Sequence, residues 1–137
     1  MSNFKKDLFM GSSFEKECQK YFNNIEFSPF TKFCKYDFIS EDVKYEVKAD
    51  RMSFKSGNLC IEIECNNKPS GLSTTEADFY IYFVIKPNDD YNIYKIPVNI
   101  LKESIKNKRC IFGGDFKRSK LVLVKLLDFE QYLIDKK

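Results

Sequence analysis

Polar and apolar residues alternate along FCKYDFI at 33–39 and VKYEVKAD at 43–50, and this period of two predicts a pair of half-buried strands joined by turn chemistry at Ser40-Glu41-Asp42. Upstream, Leu8, Phe14, Cys18, Tyr21 and Phe22 recur near helical spacing opposite Lys16, Gln19 and Lys20, so an amphipathic helix is expected over 7–23, ended by Ser28-Pro29. Downstream, the turn Lys55-Ser56-Gly57-Asn58 leads into LCIEIEC at 59–65, a third alternating strand. Residues 66–77 read as loop, with Ser73-x-x-Glu76 as a capping box opening a short helix. The run DFYIYFVI at 78–85 is apolar on both faces, as a strand buried on both sides by parallel pairing would be. Beyond the Pro87-Asn88-Asp89-Asp90 turn, strands are expected at 92–96, 109–112 and 120–126, helix at 98–107, a turn at Gly113-Gly114-Asp115 and a short terminal helix. The order of helix, three-stranded antiparallel meander, crossover helix and further strand predicts an α/β fold, a mixed sheet flanked by helices on both faces.

Composition narrows the chemistry. A length of 137 residues is that of one domain, and 14 Phe and 8 Tyr supply material for a core. The five cysteines (Cys18, Cys34, Cys60, Cys65, Cys110) are odd in number and form no CxxC pair, so they read as reduced core thiols of an intracellular, reducing compartment. No apolar run reaches the ~20 residues that a membrane helix needs, and the charged N-terminus does not read as a signal peptide. With no histidine in the chain, Ser-His-Asp and Cys-His catalysis and histidine-ligated metals are excluded. Carboxylates, lysines and hydroxyls are what is left for catalysis. The formal net charge of +3 carries little information, but residues 102–125 hold eight basic side chains against Glu103 and Asp115.

The first hairpin carries the main chemical expectation. A turn centred between Glu41 and Asp42 sets Phe38 opposite Tyr45, Tyr36 opposite Val47 and Cys34 opposite Ala49 on one apolar face. The other face then sets Asp37 opposite Glu46 and Lys35 opposite Lys48. Directly opposed side chains have Cβ atoms ~4.5–5.5 Å apart, so two acids there repel unless a cation lies between them. Mg²⁺ suits such a place, because it takes one or two carboxylates and keeps waters and phosphate oxygens in its shell. Lys48 follows Glu46 on the same face, ~6.6 Å along the strand, within reach of a phosphate held there. Metal polarisation of a phosphoryl oxygen, an activated water and a lysine near developing negative charge together describe phosphodiester hydrolysis. A solvated face of ordinary alternating charges gives the same spacing.

Tyr36-Asp37-Phe38, followed by Glu46-Val47-Lys48 and preceded by Gly11-x-x-x-Glu15, resembles the PD-(D/E)xK nuclease superfamily, whose restriction-endonuclease-like core has the element order read above. The strings Gly57-Asn58-Leu59-x-Ile61-Glu62 and Ser70-Gly71-Leu72-Ser73-Thr74-Thr75-x-Ala77-Asp78 resemble small members from phages and other viruses. The resemblance spans about 8–100, with 101–137 as a basic C-terminal extension of the same single domain. It implies a virus-encoded, Mg²⁺-dependent endonuclease acting on DNA, with Mn²⁺ able to substitute and RNA as another substrate. Asp37, Glu46 and the Val47 carbonyl would be metal ligands, Lys48 would orient the water, and Glu15 would approach from the first helix. Glu62 is a further candidate ligand. Tyr36 stands where the superfamily often has proline. Ser73, Thr74 and Thr75 are candidates for holding a phosphate at a helix start, and Lys117 and Arg118, within the basic stretch, for contacting the backbone. So short a chain leaves little room for a sequence-reading domain, which favours selection of DNA structure. Homodimerisation would bring two sites to two strands. The competing readings are a catalytically silent nucleic-acid-binding module on the same fold and a viral module that binds a host protein.

Overall fold

In the computed structural model, which describes residues 14, 16–28, 35–113 and 117–136, the hairpin at 38–50 forms around a two-residue turn. Glu41 and Asp42 both have positive φ, 50° and 65°. This is the turn type whose twist matches that of the flanking strands, and it fixes the register. Strands β2 (Phe38–Ser40) and β3 (Val43–Asp50) pair as Phe38↔Tyr45, Ile39↔Lys44 and Ser40↔Val43, as the alternation predicts. A short β1 (Glu26–Phe27) lies antiparallel on the outer edge of β2.

The expected meander stops there. After β3 the chain makes a short helix, α1 (Met52–Ser56), then β4 (Asn58–Cys65), a tight turn at Asn66-Asn67 and β5 (Lys68–Pro69). Strand β4 is not the neighbour of β3. That edge is taken by β6 (Phe79–Ile85), which runs parallel to β3 from Tyr45↔Phe79 to Asp50↔Val84. Its burial on both faces is the expected one. With both edges of β3 occupied, β4 pairs instead with β9 (Ser119–Lys125) in a second sheet. Alternating Leu59 and Ile61 read the same in either sheet, because both bury one face.

Two more strands complete the first sheet. They are β7 (Tyr91–Pro97), which is followed by α2 (Val98–Ser104), and the terminal β10 (Leu133–Lys136). The result is a mixed six-stranded sheet in the order β1-β2-β3-β6-β7-β10, beside an antiparallel sheet β5-β4-β9-β8, where β8 is Cys110–Gly113. The chain is therefore mixed α/β with little helix. Residues 101–137, set apart in sequence as a basic extension, supply strands to both sheets.

Two expected helices are also replaced. In place of a helix opened by Ser73 there is a 3-10 turn, Gly71–Ser73. Its capping box does not form, because the Glu76 N–H bonds the Lys35 carbonyl (3.0 Å) and Thr75 Oγ1 donates to that same oxygen (3.2 Å). The terminal helix is a 3-10 segment, Leu126–Tyr132, that leads into β10. Of the expected helix at 7–23, Phe14, Lys16 and Glu17 are helical and a 3-10 turn follows at Cys18–Lys20; most of the remainder lies outside the described residues.

Two cores result, and they differ from the predicted helical flanks. Phe38, Tyr45, Ile81, Phe83 and Ile93 pack with Cys18, Phe14, Tyr21 and Phe22 on one face of the six-stranded sheet, with Phe38 and Tyr45 stacked at 4.9 Å. On the other face Tyr80, Tyr82, Val84, Tyr94 and Ile96 meet Leu59, Ile61, Val122 and Val124 of the second sheet. A second sheet thus covers the face where helices were expected. Of the cysteines, Cys18 is buried whereas Cys60 is exposed, which corrects its assignment to the core; Cys34 lies outside the described residues. Among the described residues no helix is long and apolar enough to cross a membrane.

Candidate active site

Alternation along β3 sends Val43, Tyr45 and Val47 into the aromatic core, so Glu46 and Lys48 emerge on the opposite face, towards the second sheet. Asp37 stands just before β2, where the chain leaves the ladder. Its N–H still bonds the Tyr45 carbonyl (2.8 Å), and its own carbonyl accepts the Ser28 N–H (2.9 Å). Its side chain does what the next backbone carbonyl would have done: Asp37 Oδ2 accepts the Val47 N–H at 2.6 Å.

Tyr36 departs from the expected register. It was to face Val47 on the apolar side, yet it packs against the other core and lines the same cleft as Asp37, with Lys44 Nζ 5.2 Å from its ring centre. The cause lies one residue back. The Lys35 carbonyl is held by Thr75 and Glu76, which draws residues 35 and 36 away from β3 and ends the predicted pairing of Lys35 with Lys48.

Asp37, Glu46 and Lys48 all line one cleft of about 250 Å³. Its opposite wall comes from β4 and the following loop, through Glu62, Ser70 and Gly71, while the buried Tyr80 closes the floor beside its register partner Glu46. Lys48 Nζ lies 3.7 Å from Glu46 Oε1, both side chains being partly exposed. Burial is the main influence on the Asp37 carboxyl and pushes its pKa up; the Val47 N–H and the Lys48 charge pull it back. The Tyr80 hydroxyl is likewise pushed up, first by burial and then by Glu46, which leaves it a neutral donor.

Glu62 is tied more fully. Oε1 accepts the Ser119 hydroxyl (2.9 Å) and Oε2 the Ser70 hydroxyl (3.1 Å), so this acid joins β4 to β9 and to the loop. Gly71 makes that join close. Its φ is +53°, and a Cβ there would collide with the Glu62 carbonyl oxygen.

Among the phosphate candidates, Thr74 and Thr75 line the cleft, whereas Ser73 sits on the exposed side of its turn. Thr75 Oγ1 is committed to the Lys35 carbonyl and the Ala77 N–H, which leaves Thr74 as the better hydroxyl for a ligand. Lys117 and Arg118 are exposed and lead into β9, where the Arg118 carbonyl takes the Asn66 N–H. Neither lines the cleft; the next residue, Ser119, bonds Glu62, which does. Glu15 lies outside the described residues. Sequence reasoning missed Tyr80, Ser119 and the structural role of Ser70. The one signal for Tyr80 was a hydroxyl-bearing residue in an apolar strand.

Among the described residues no group of three or more Asp, Glu or Cys side chains is gathered as a metal cluster. The cleft instead offers two carboxylates, Asp37 just before β2 and Glu46 on β3, with the Val47 N–H bonded to the first. Asp37 Oδ1 accepts no hydrogen bond among the described residues, and burial makes its charge costly in the absence of a cation. This donor set fits Mg²⁺, which is commonly held by one or two carboxylates and completes its shell with water and phosphate oxygens. No protein-family model matches the chain, and no curated protein matches it either.

Proposed function

We propose that the chain is a Mg²⁺-dependent nuclease, an endonuclease that hydrolyses DNA phosphodiester bonds and selects DNA by structure. The observation that carries this reading is the placement of Asp37, just before β2, and Glu46, on β3, on one cleft with Lys48 one pleat repeat beyond Glu46. The restriction-endonuclease-like core belongs to the same proposal.

Asp37, Glu46 and the Val47 carbonyl would hold the cation, which when bound polarises a phosphoryl oxygen and lowers the pKa of a water for in-line attack. Asp37 is held by the Val47 N–H, which bonds Oδ2, while the residue lines the cleft. Lys48, drawn towards Glu46, presents its ammonium where charge develops on the phosphate and stabilises the transition state more than the ground state. The Thr74 hydroxyl and Lys35 at the rim orient the phosphate backbone. Lys117 and Arg118, beside Ser119, add sequence-independent attraction that weakens with salt.

The test is cleavage of single-stranded, duplex, flapped and four-way-junction DNA with Mg²⁺ or Mn²⁺, read on a gel beside Lys48→Ala. The variant is expected to lose about 10²–10³-fold in rate while keeping its fold and DNA affinity. Equal cutting by the two proteins overturns the catalytic assignment. The lack of a three-acid cluster among the described residues favours the second reading, a silent nucleic-acid binder. Calorimetric titration with Mn²⁺ separates the two, since the silent binder takes up no metal at Asp37.

A further inference from the structure

The walls of the cleft carry its charges, and the floor carries a phenol. Because β6 pairs with β3 in parallel register, Tyr80 stands beside Glu46 and Tyr82 beside Lys48, with 5.9 Å between the two ring centres. Tyr80 lines the cleft and also a second cavity of about 150 Å³ that continues from it. Tyr82 lines only the second cavity of the two.

Packing alone does not call for the Tyr80 hydroxyl. The residue is buried, and apart from the two tyrosines β6 consists of Phe, Ile and Val. A phenylalanine would fill the same place without burying a polar group. The hydroxyl lies within the influence of three carboxylates, Glu46, Asp37 and Glu62, and it meets the Thr75 hydroxyl. Thr75 has one proton to give, either to the Lys35 carbonyl, which also accepts the Glu76 N–H, or to the phenol oxygen. Once Thr75 turns to the phenol, the phenol proton is released for a ligand in the cleft. Burial above all keeps that proton on the oxygen. With three acids around it, a phosphate oxygen comes within reach of this donor only in the company of a cation.

We propose that the Tyr80 hydroxyl donates to an oxygen of the phosphate that enters the cleft with the cation, holding it from the floor. The inference rests on the nuclease reading and adds a substrate-binding residue to it. Lys48 lines the same two cavities, so ammonium and phenol face a shared space. The ammonium acts there as a point charge, whereas the hydroxyl contributes a directional bond and no charge.

The test is calorimetric titration of inorganic phosphate into the parent, Tyr80→Phe and Tyr82→Phe, each with Mg²⁺ and in chelator. The expected result is phosphate binding that needs Mg²⁺ and is about tenfold weaker in Tyr80→Phe, with Mg²⁺ affinity unchanged. Tyr82→Phe removes a hydroxyl from the same strand face outside the cleft, and it should bind phosphate as the parent does. No Mg²⁺-dependent phosphate binding by the parent, an unchanged affinity in Tyr80→Phe, or equal losses in the two variants overturns the proposal. Cleavage of DNA is scored separately. A parent that cuts while Tyr80→Phe binds phosphate normally leaves the nuclease reading standing, and a parent that never cuts while Tyr80→Phe alone loses phosphate leaves the phosphate contact standing.

Discussion

Asp37 and Glu62 look at the same cleft from opposite walls, one carried by each sheet, and they are held in different ways. Glu62 has a hydroxyl on each oxygen, from Ser70 and Ser119, and those bonds join strand, strand and loop. Asp37 has one backbone N–H on one oxygen, and burial raises its pKa. A half-buried carboxylate with few donors costs its fold stability unless positive charge offsets it, as Lys48 does in part for Asp37, whereas one that is fully bonded is part of the framework. The contrast sorts the acids of one cleft by what their surroundings leave undone. On the proposed function, cation binding would fall to the first wall and architecture to the second, although the sequence offered Glu62 as a ligand too.

Asp37→Asn tests the first wall and has the largest expected effect. Cleavage should fall by more than about a hundredfold, since even residues that only support a metal ligand lose 10–100-fold when replaced. Stability should move the other way. A carboxyl whose pKa is higher folded than unfolded binds its proton more tightly in the folded state. The stability it contributes is present below the unfolded value, about 3.9, and is lost as pH rises through the folded value. In chelator at neutral pH the Asn variant should therefore melt above the parent, and the gap should close in acid. Mg²⁺ should raise the melting temperature of the parent and leave that of the variant in place. A parent indifferent to Mg²⁺, with a variant less stable at every pH, would remove the distinction between the walls.

The first wall was legible in the sequence and the second was not, for a physical reason. Alternation plus a two-residue turn fixes a local register, so Phe38↔Tyr45 and the shared face of Glu46 and Lys48 could be read from residues 37–48 alone. The reversal of Tyr36 depends on Thr75 and Glu76, some forty residues away, and no local pattern encodes it. The same holds for β4, since Leu59 and Ile61 alternate identically whichever sheet receives them. What decides is β6 occupying the edge of β3. The last strand was hidden as well, because LIDK follows a 3-10 segment rich in Leu and Phe that reads as helix.

Gly71→Ala strains the junction of the two walls without touching an acid. The residue has φ +53°, and the added methyl would meet the Glu62 carbonyl oxygen, which is backbone and moves only with β4. A non-glycine residue held in this conformation costs about 1–3 kcal/mol, and the collision adds to that. Chemical denaturation should show the loss. Because Ser70 is the next residue, the loop should also retreat from Glu62, and hydrogen exchange at Ser73 and Thr74, whose N–H groups bond Ser70 and Gly71, should quicken. An alanine variant as stable as the parent would mean that the loop is not seated on β4 as described.

Glu62→Gln should have the smallest effect, and for that reason it is the sharpest test of the contrast. Glutamine keeps one oxygen to accept a hydroxyl, and its amide can donate to the other serine once that hydroxyl rotates, so both links of Glu62 to Ser70 and Ser119 survive in neutral form. What is lost is the charge assistance, about 1 kcal/mol across the pair. Cleavage should stay within a few-fold of the parent, since the change leaves Asp37, Glu46 and Lys48 in place. Uptake of Mn²⁺ followed by calorimetry should keep its stoichiometry. A loss of cleavage as deep as that of Asp37→Asn, together with fewer ions bound, would move Glu62 across to the cation and dissolve the division between the walls. A large loss of stability with cleavage intact would strengthen it, because the charge would then serve the joint between the sheets alone.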